Sequence, residues 1–502
     1  MKAAFHTLGC KVNQYETEAI KEQFRALGWE IGDEEEVCDA YVINTCTVTN
    51  LADRKSRQFI RRARRLNPDA LVAVTGCYAQ IKPEEVAAIE GVEIVTGTDE
   101  KGKLAEMVDA RFREEQASRR AAELLVKPYE KLDHYESLGE IREMESRTRA
   151  FIKIQEGCNN FCTYCIIPYA RGKIRSRAAE DVIREVRNLV EKGYKEIVLT
   201  GINTAFYGQD LGYGGIEPLI AGLDALEGDF RIRLSSLEPT VIDAAYVKGL
   251  MKYPKLCHHL HLALQSGSDH VLSEMNRHYT RQDFLDIVEV LREADPHYGI
   301  STDIIVGFPG ETEDEFRDSL RIVSEAMFCK THVFKYSMRT GTPAAARTDQ
   351  IPGETKNDRS RALIAESDRV RREFFLASRG ETRRVLFEEF GKDPVTGEDQ
   401  GMDNGDVDSR LENRSESRAE DRGAENKVRD DRSENQSEDK DRENRSESRA
   451  EDAAVLFPDG CVTGYTDNYI RVYANGGPAL FDQFRDVELV RPYRDGMLGR
   501  VR

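Results

Sequence analysis

The chain has 502 residues, 39% hydrophobic and 33% charged, with a formal net charge of −18. That length calls for about two to four domains with sizeable cores, while so acidic a balance argues at first against a nucleic-acid partner. No apolar run approaches the roughly eighteen residues of a membrane span, and the opening MKAAFHTLGCKVNQ has no extended apolar signal core, so the expected location is cytoplasmic. Ten cysteines in that compartment point to metal or redox chemistry rather than disulfides. The charge is unevenly spread. Residues 391–452 carry 21 acidic and 12 basic side chains, a balance of −9, which leaves −9 for the far longer remainder. Locally clustered basic residues can therefore still bind RNA.

Residues 1–125 read as alternating strands and helices: strand Lys2 to Thr7, helix Asn13 to Leu27, strand Asp39 to Asn44, helix Leu51 to Leu66, strand Ala70 to Thr75 and strand Val92 to Thr96. Such alternation predicts a parallel sheet with helices on its faces. Cys10, Cys46 and Cys77 each follow one of the first three strands. Ligands of open α/β sheets bind beyond the carboxyl ends of the strands, so three thiols distant in sequence converge at one sheet edge. That arrangement suits an iron–sulfur cluster with one open iron; the alternative is three unrelated buried cysteines. Cys38 precedes a strand and is left outside the set. Helix 51–66 holds Arg54, Lys55, Arg57, Arg61, Arg62, Arg64 and Arg65 against a single acid, Asp53. It reads as a phosphate-binding surface, the alternative being a solvated face. Residues 126–146 read as a linker or exposed connection.

The second domain, 147–370, is organised around GCNNFCTYCIIPYARGKIRSR, Gly157 to Arg177. Cys158, Cys162 and Cys165 form a C-x3-C-x2-C triplet whose thiolates can take three corners of a four-iron cube. The iron left without a protein ligand is a place to chelate a small molecule and deliver an electron. Zinc would need a fourth Cys or His at short spacing, and the next cysteine is Cys257. The triplet resembles the radical-SAM signature, in which the open iron holds the amino and carboxylate groups of S-adenosylmethionine. Strands at Arg149 to Gln155, Glu196 to Thr200, Arg231 to Ser235, Leu260 to Leu264, Ser301 to Val306 and His332 to Tyr336 alternate with helices. Six units fall short of the roughly eight that close a full barrel, which predicts an open (β/α)6 barrel. Its strand ends offer candidate S-adenosylmethionine contacts: Gly201 after the second strand, Glu238 after the third, Gln265 and Ser266 after the fourth. Glu238 reads as a ribose or amino-group acceptor, and Arg175 or Arg177 as a carboxylate partner.

Beyond residue 370, Arg383 to Phe390, Val455 to Phe457, Gly460 to Thr466 and Tyr469 to Tyr473 read as short strands with frequent turns. They predict a small antiparallel β-barrel built from 371–390 and 453–495. Tyr465 and Tyr469 could stack on bases, with Arg471 on phosphate, or pack a small β core. Between the two halves, 391–452 repeats ENRSESRAED at Glu412 and Glu443 and nearly lacks large apolar residues. It reads as a disordered charged insertion, because it cannot bury enough apolar area to offset its ordering entropy. Cys257, Cys329 and Cys461 read as packed thiols.

With both cysteine sets in view, the chain resembles the methylthiotransferase family, whose members join an N-terminal three-cysteine domain, a radical-SAM barrel and a C-terminal RNA-binding TRAM domain. The motif HTLGCKVNQYET around Cys10, together with the Gly157 to Arg177 stretch, looks most like the subgroup that modifies N6-threonylcarbamoyladenosine in tRNA. The neighbouring subgroups act on isopentenyladenosine in tRNA or on an aspartate of a ribosomal protein. The resemblance implies two [4Fe–4S] clusters and S-adenosylmethionine. Cys158, Cys162 and Cys165 would hold the cluster that cleaves S-adenosylmethionine to a 5′-deoxyadenosyl radical, which activates C2 of the adenine. Cys10, Cys46 and Cys77 would hold the cluster that presents sulfur for methylation. The implied partners are a tRNA anticodon loop, an electron donor such as flavodoxin or ferredoxin, and a sulfur source, with no membrane. An iron–sulfur RNA-binding regulator without turnover is the competing class. The family pattern contains nothing like 391–452.

Overall fold

The computed structural model describes residues 1–114, 121–142, 144, 148–391 and 456–502. The expected insertion thus lies, but for Gly391, outside the described residues. The N-terminal sheet comprises β1 (Lys2–Thr7), β2 (Glu30–Gly32), β3 (Ala40–Thr45), β4 (Leu71–Gly76), β5 (Val92–Thr96) and β6 (Glu123–Leu125), in the order β2-β1-β3-β4-β5-β6. Every pairing is parallel. The central strands β3 and β4 are buried along their whole length, as parallel strands covered on both faces must be. Helices Lys11–Ala26 and Leu104–Arg113 pack Ile20, Phe24, Leu104 and Val108 on one face. Helix Asn50–Leu66 packs Ile60 and Ala63 on the other. Strands β2 and β6 escape a reading from hydrophobic pattern because each has three residues at a sheet edge.

Of the described residues 126–142 and 144, expected as a linker or exposed connection, most are exposed or half-buried. Leu132, Leu138, Ile141 and Met144 are buried, and the last three join the core of the second domain. Their apolar side chains are spaced for contact with that domain rather than for solvation.

The second domain carries six strands of a partial barrel: β7 (Arg149–Lys153), β10 (Glu196–Thr200), β11 (Arg231–Leu234), β12 (His259–His261), β13 (Gly299–Val306) and β14 (Lys330–Lys335). The short hairpin partners β8 (Gln155–Glu156) and β9 (Arg175–Ser176) flank the cysteine motif. The strands form two parallel triplets, β7-β10-β11 and β12-β13-β14. Parallel bridges Leu237–Leu262 and Ile232–Leu256 join them into one curved wall. Among the described residues β7 and β14 do not pair, so the wall stays open.

Helix Gly353–Ala377 crosses residue 370 and leads into a closed five-stranded barrel, β15 (Thr382–Gly391), β16 (Cys461–Thr466), β17 (Arg471–Asn475), β18 (Phe484–Tyr493) and β19 (Gly496–Val501). Four of its five pairings are antiparallel and β17–β19 is parallel. This barrel plugs the amino-terminal mouth of the larger one. Arg149, Arg231 and Arg233, from neighbouring strands, converge on Glu196, which has no solvent exposure. Arg231 and Arg233 donate onward to the carbonyls of Tyr465, Thr466 and Asp467 at 3.1–3.2 Å. Tyr469 stacks on His259 at 4.5 Å and lies under Arg233. Tyr465 stacks on Tyr469 and on Arg149. Both tyrosines are therefore interdomain packing rather than free base-stacking platforms. Arg471 is likewise engaged, with Glu389 and Asp495.

Burial pushes the Glu196 carboxyl up, but the three arginines outweigh burial and hold it well below the ordinary range. A depressed carboxyl stabilises the fold above its unfolded value of about 4.3 and loses that contribution as pH falls toward the folded value. Glu196→Gln strands three buried guanidiniums and should lower the unfolding free energy by about 3–5 kcal/mol in urea titrations at neutral pH. The variant's deficit should shrink as the wild type is acidified; a neutral substitution with no effect at pH 7 contradicts the plug.

Candidate active site

The N-terminal cysteines are placed by the strand ends. Cys10 caps helix Lys11–Ala26, Cys46 follows β3 directly, and Cys77 opens helix Cys77–Ile81 directly after β4. Asn13 ties the first two loops together, donating to the carbonyls of Leu8 (2.7 Å) and Thr45 (3.1 Å). The Thr45 hydroxyl donates to the Thr75 carbonyl at 2.6 Å and accepts from Ala79 N, fixing the third. The glycines before Cys10 and Cys77 have a steric reason. Gly9 has φ +99°, and a Cβ there would lie 2.8 Å from Cys46 Cβ and 2.9 Å from its Sγ. Gly76 has φ +97°, and a Cβ would lie 2.4 Å from the Thr45 carbonyl oxygen. Cys46 is thus pressed against the Cys10 loop. Each of the three expected cysteines stands at the carboxyl end of a neighbouring strand of one sheet.

Beneath them lies a buried charge cluster with no local signature in the sequence. Arg171, two turns past Cys165, has no solvent exposure. Its guanidinium donates to Cys77 Sγ (3.3 Å), Asn13 Oδ1 (2.6 Å), Glu16 Oε1 (2.9 Å) and Glu156 Oε1 (2.6 Å). Lys153 bridges Glu16 and Glu156 at 3.0 and 3.1 Å, Lys101 pairs with Glu16, and Arg175 approaches Glu156 at 3.6 Å. Four cations thus meet two carboxylates. An anionic, thiolate-held group beside Cys77 would balance that excess, so the donor set fits an iron–sulfur cluster. Burial raises the Cys77 thiol pKa although Arg171 pulls the other way.

The second trio opens into a cavity of about 320 Å³ at the carboxyl ends of the barrel strands, where barrel active sites lie. Cys158, Cys162 and Cys165 line it with Asn160, Asn203, Glu238, Gln265, Arg277, Asp303 and Lys335. Burial pushes the Cys158 thiol up to about 11 and Cys165 up to about 12. Val48 and Thr49, just beyond Cys46, form part of the same wall. The loop after one cysteine set therefore bounds the chamber of the other.

The remaining expected contacts divide. Glu238 lines the cavity, accepting from Asn160 (3.0 Å) and Arg277 (2.6 Å). Gln265 lines it with a backbone φ of +72°. Ser266 is buried behind the wall, its hydroxyl accepting from Ser268 N. Gly201 sits against Gln155, and its neighbours Ile202 and Asn203 face the cavity instead. Arg175 and Arg177 are not carboxylate partners in the cavity. Arg175 is buried on Leu132 O and Glu156, and Arg177 on Tyr15 and Glu185; each neutralises charge within the protein. Arg277 is the guanidinium that the cavity does present, and nothing in its local sequence announces it. Deeper in the barrel, His261 Nε2 lies 3.2 Å from Asp303 Oδ2, with the His332 ring beside it.

Two family models match the chain: the radical SAM superfamily over residues 152–323 and "Uncharacterized protein family UPF0004" over residues 2–97. The chain is 48% identical over 393 residues to threonylcarbamoyladenosine tRNA methylthiotransferase MtaB of Bacillus subtilis, covering 78% of this chain and 85% of that one. It is 40% identical to the protein of the same name in Aquifex aeolicus, over 77% and 92% of the two chains. It is 37% identical to tRNA-2-methylthio-N(6)-dimethylallyladenosine synthase of Clostridium novyi, over 76% and 84%. The chain belongs to the radical SAM methylthiotransferases. Membership implies S-adenosylmethionine and [4Fe–4S] clusters. Among solved structures, the radical S-adenosylmethionine methyltransferase TsrM of Kitasatospora setae shares the fold, with a TM-score of 0.51 at 17% identity over 68% of this chain and 77% of that one.

Gly9→Ala should disturb the N-terminal cysteine set alone, through the Cys46 clash. Anaerobically reconstituted protein is expected to fall from about eight irons per chain to about four, while keeping the Cys158 cluster. Full iron content in the variant contradicts the geometry.

Proposed function

We propose that this methylthiotransferase converts N6-threonylcarbamoyladenosine in the anticodon loop of tRNA to its 2-methylthio derivative. Cys158, Cys162 and Cys165 hold one [4Fe–4S] cluster and Cys10, Cys46 and Cys77 the other. The observation that carries the reading is the shared wall: Val48 and Thr49 bound the cavity of the Cys158 trio, and Arg171 of the barrel grips Cys77. When bound, the clusters and S-adenosylmethionine supply the radical that opens an unreactive adenine C–H bond and the sulfur that replaces the hydrogen.

The chain's own residues position and shield. Arg277 and Asn160 hold the Glu238 carboxylate rigid at the cavity wall, where it can accept hydrogen bonds from a ribose or an amino group. Arg277 and Lys335 balance Glu238 and Asp303 in the lining, which gives a zwitterion such as the amino acid end of S-adenosylmethionine groups of both signs to meet. The barrel's lower mouth is closed by Tyr465 and Tyr469, which keeps water from entering below and protects a radical from quenching. No acid–base pair is required by this chemistry.

The reading places the enzyme in the cytoplasm, where it draws on an external electron donor such as flavodoxin or ferredoxin and on a sulfur source. No described helix is long and apolar enough to cross a membrane. The relative that acts on dimethylallyladenosine keeps that substrate as the second reading, at lower identity.

Mass spectrometry of tRNA nucleosides from a deletion strain decides between them. Loss of the 2-methylthio form of threonylcarbamoyladenosine, restored by the intact gene but not by Cys10→Ala/Cys46→Ala/Cys77→Ala, is the expected outcome. Loss of the isopentenyl derivative instead would transfer the assignment to the second reading.

A further inference from the structure

Resting on the tRNA reading above, we propose that the outer face of helix Asn50–Leu66 is the rail on which the phosphate backbone of the tRNA anticodon stem docks. Lys55 is half-buried, and the other six basic residues of this helix fall into two groups. Arg57 bonds Tyr78 and Glu85, Arg62 bonds Glu35, and Arg64 is turned onto the carbonyls of Pro68 and Ala70. Arg54, Arg61 and Arg65 are exposed and, among the described residues, make no ion pair or hydrogen bond. Their spacing of seven and four residues puts them in one stripe, about 16 Å long at 1.5 Å per residue. The helix's sole acid, Asp53, is buried and neutralised by Arg339 at 2.8 Å, so nothing on the helix offsets the stripe.

The rail is anchored at the cavity mouth. Asn50 N donates to Ser337 Oγ at 3.3 Å, and Arg339 donates to Asn50 Oδ1 and Thr47 Oγ1 at 2.7 and 2.6 Å. Val48, Thr49 and Ser337 line the cavity, so Arg54 stands about one turn from its edge. Val48, in the lining, is 53% exposed, and Met338 and Phe161, next in sequence to the lining residues Ser337, Asn160 and Cys162, are 46% and 44% exposed. Phe161 also holds a φ of +45°, a conformation rare for a bulky residue. A base must leave its stack to enter a cavity, and a flipped base is commonly received on an aromatic or apolar platform. Phosphates along the stripe and an unstacked base over the rim belong to one RNA hairpin. In a chain of net charge −18, such an uncompensated stripe has one chemical complement, a polyanion.

The test uses the reconstituted holoenzyme and the full chain. Dissociation constants for threonylcarbamoyladenosine-containing tRNA are measured from about 50 to 200 mM salt for the wild type and Arg54→Gln/Arg61→Gln/Arg65→Gln. Iron content and thermal unfolding control for folding. Loss of three duplex phosphate contacts should flatten the slope of log affinity against log salt by about 2.7, or by about 2.1 if the contacts are single-stranded. Affinity near 100 mM salt should fall at least about tenfold, with Arg→Lys at all three positions retaining most of it. An unchanged slope and affinity overturn the rail. So does crosslinking that ties the helix to residues 392–455 with tRNA present, which would make the acidic segment the occupant. If the rail fails, the wild type still makes the modified nucleoside; if the functional reading fails, tRNA binding persists without product.

Discussion

The structure turns on one buried guanidinium. Arg171 belongs to the helix that follows the barrel's cysteine triplet, yet its donors end on Cys77, Asn13 and Glu16 of the N-terminal sheet as well as on Glu156 of its own domain. A planar fork with five donors can satisfy such a set; a lysine point charge cannot. Burying ions is costly, and a buried pair is weak evidence of stability. What the network does fix is position. With Arg171 held on both sides, the loop of Cys77 and the turn after Cys165 cannot slide past one another without stranding charge in the interior. Two cysteine sets carried by different domains keep their relative position through that constraint.

The same logic recurs at the other end of the barrel. Six strands leave an open wall, and a partial barrel must fill its lumen with something. Here the filling is polar and continuous. Tyr469 stacks on His259, His259 and His261 share the Ser301 hydroxyl at 3.0 Å each, and His261 faces Asp303 at the cavity. Satisfaction is incomplete, since His259 Nδ1 is buried without a hydrogen-bond partner among the described residues. The C-terminal barrel is therefore part of the catalytic body, and its tyrosines are used up in closing it.

This explains what the sequence disclosed and what it withheld. The cysteines, the six strands and the parallel sheet were legible because each leaves a local mark: close spacing, apolar runs, strand–turn–helix alternation. Glycines at 9 and 76 were visible, though their reason, the approach of Cys46 and of the Thr45 carbonyl, was not. Arg277, Arg171 and Glu16 left no mark, since their roles come from residues far away in the chain. Arg175 and Arg177 misled for the converse reason: proximity to the cysteine motif suggested the cavity, whereas their side chains turn inward to Glu156 and Glu185. Of the two roles the sequence left open for Tyr465 and Tyr469, base stacking and packing, docking of the two barrels selects packing.

Charge shows the same division between sum and place. A net charge of −18 describes the field at long range, where salt screens it within about 8 Å. Binding is decided inside that distance. Around Cys77 four cations outnumber two carboxylates, and along the outer helix three arginines stand unopposed within the described residues. The first excess faces inward, where an anionic cluster would offset it. The second faces outward, where a phosphate backbone would. An acidic protein can thus hold an anionic cofactor and present itself to RNA, provided that each positive group is placed where the screening length isolates it from the rest.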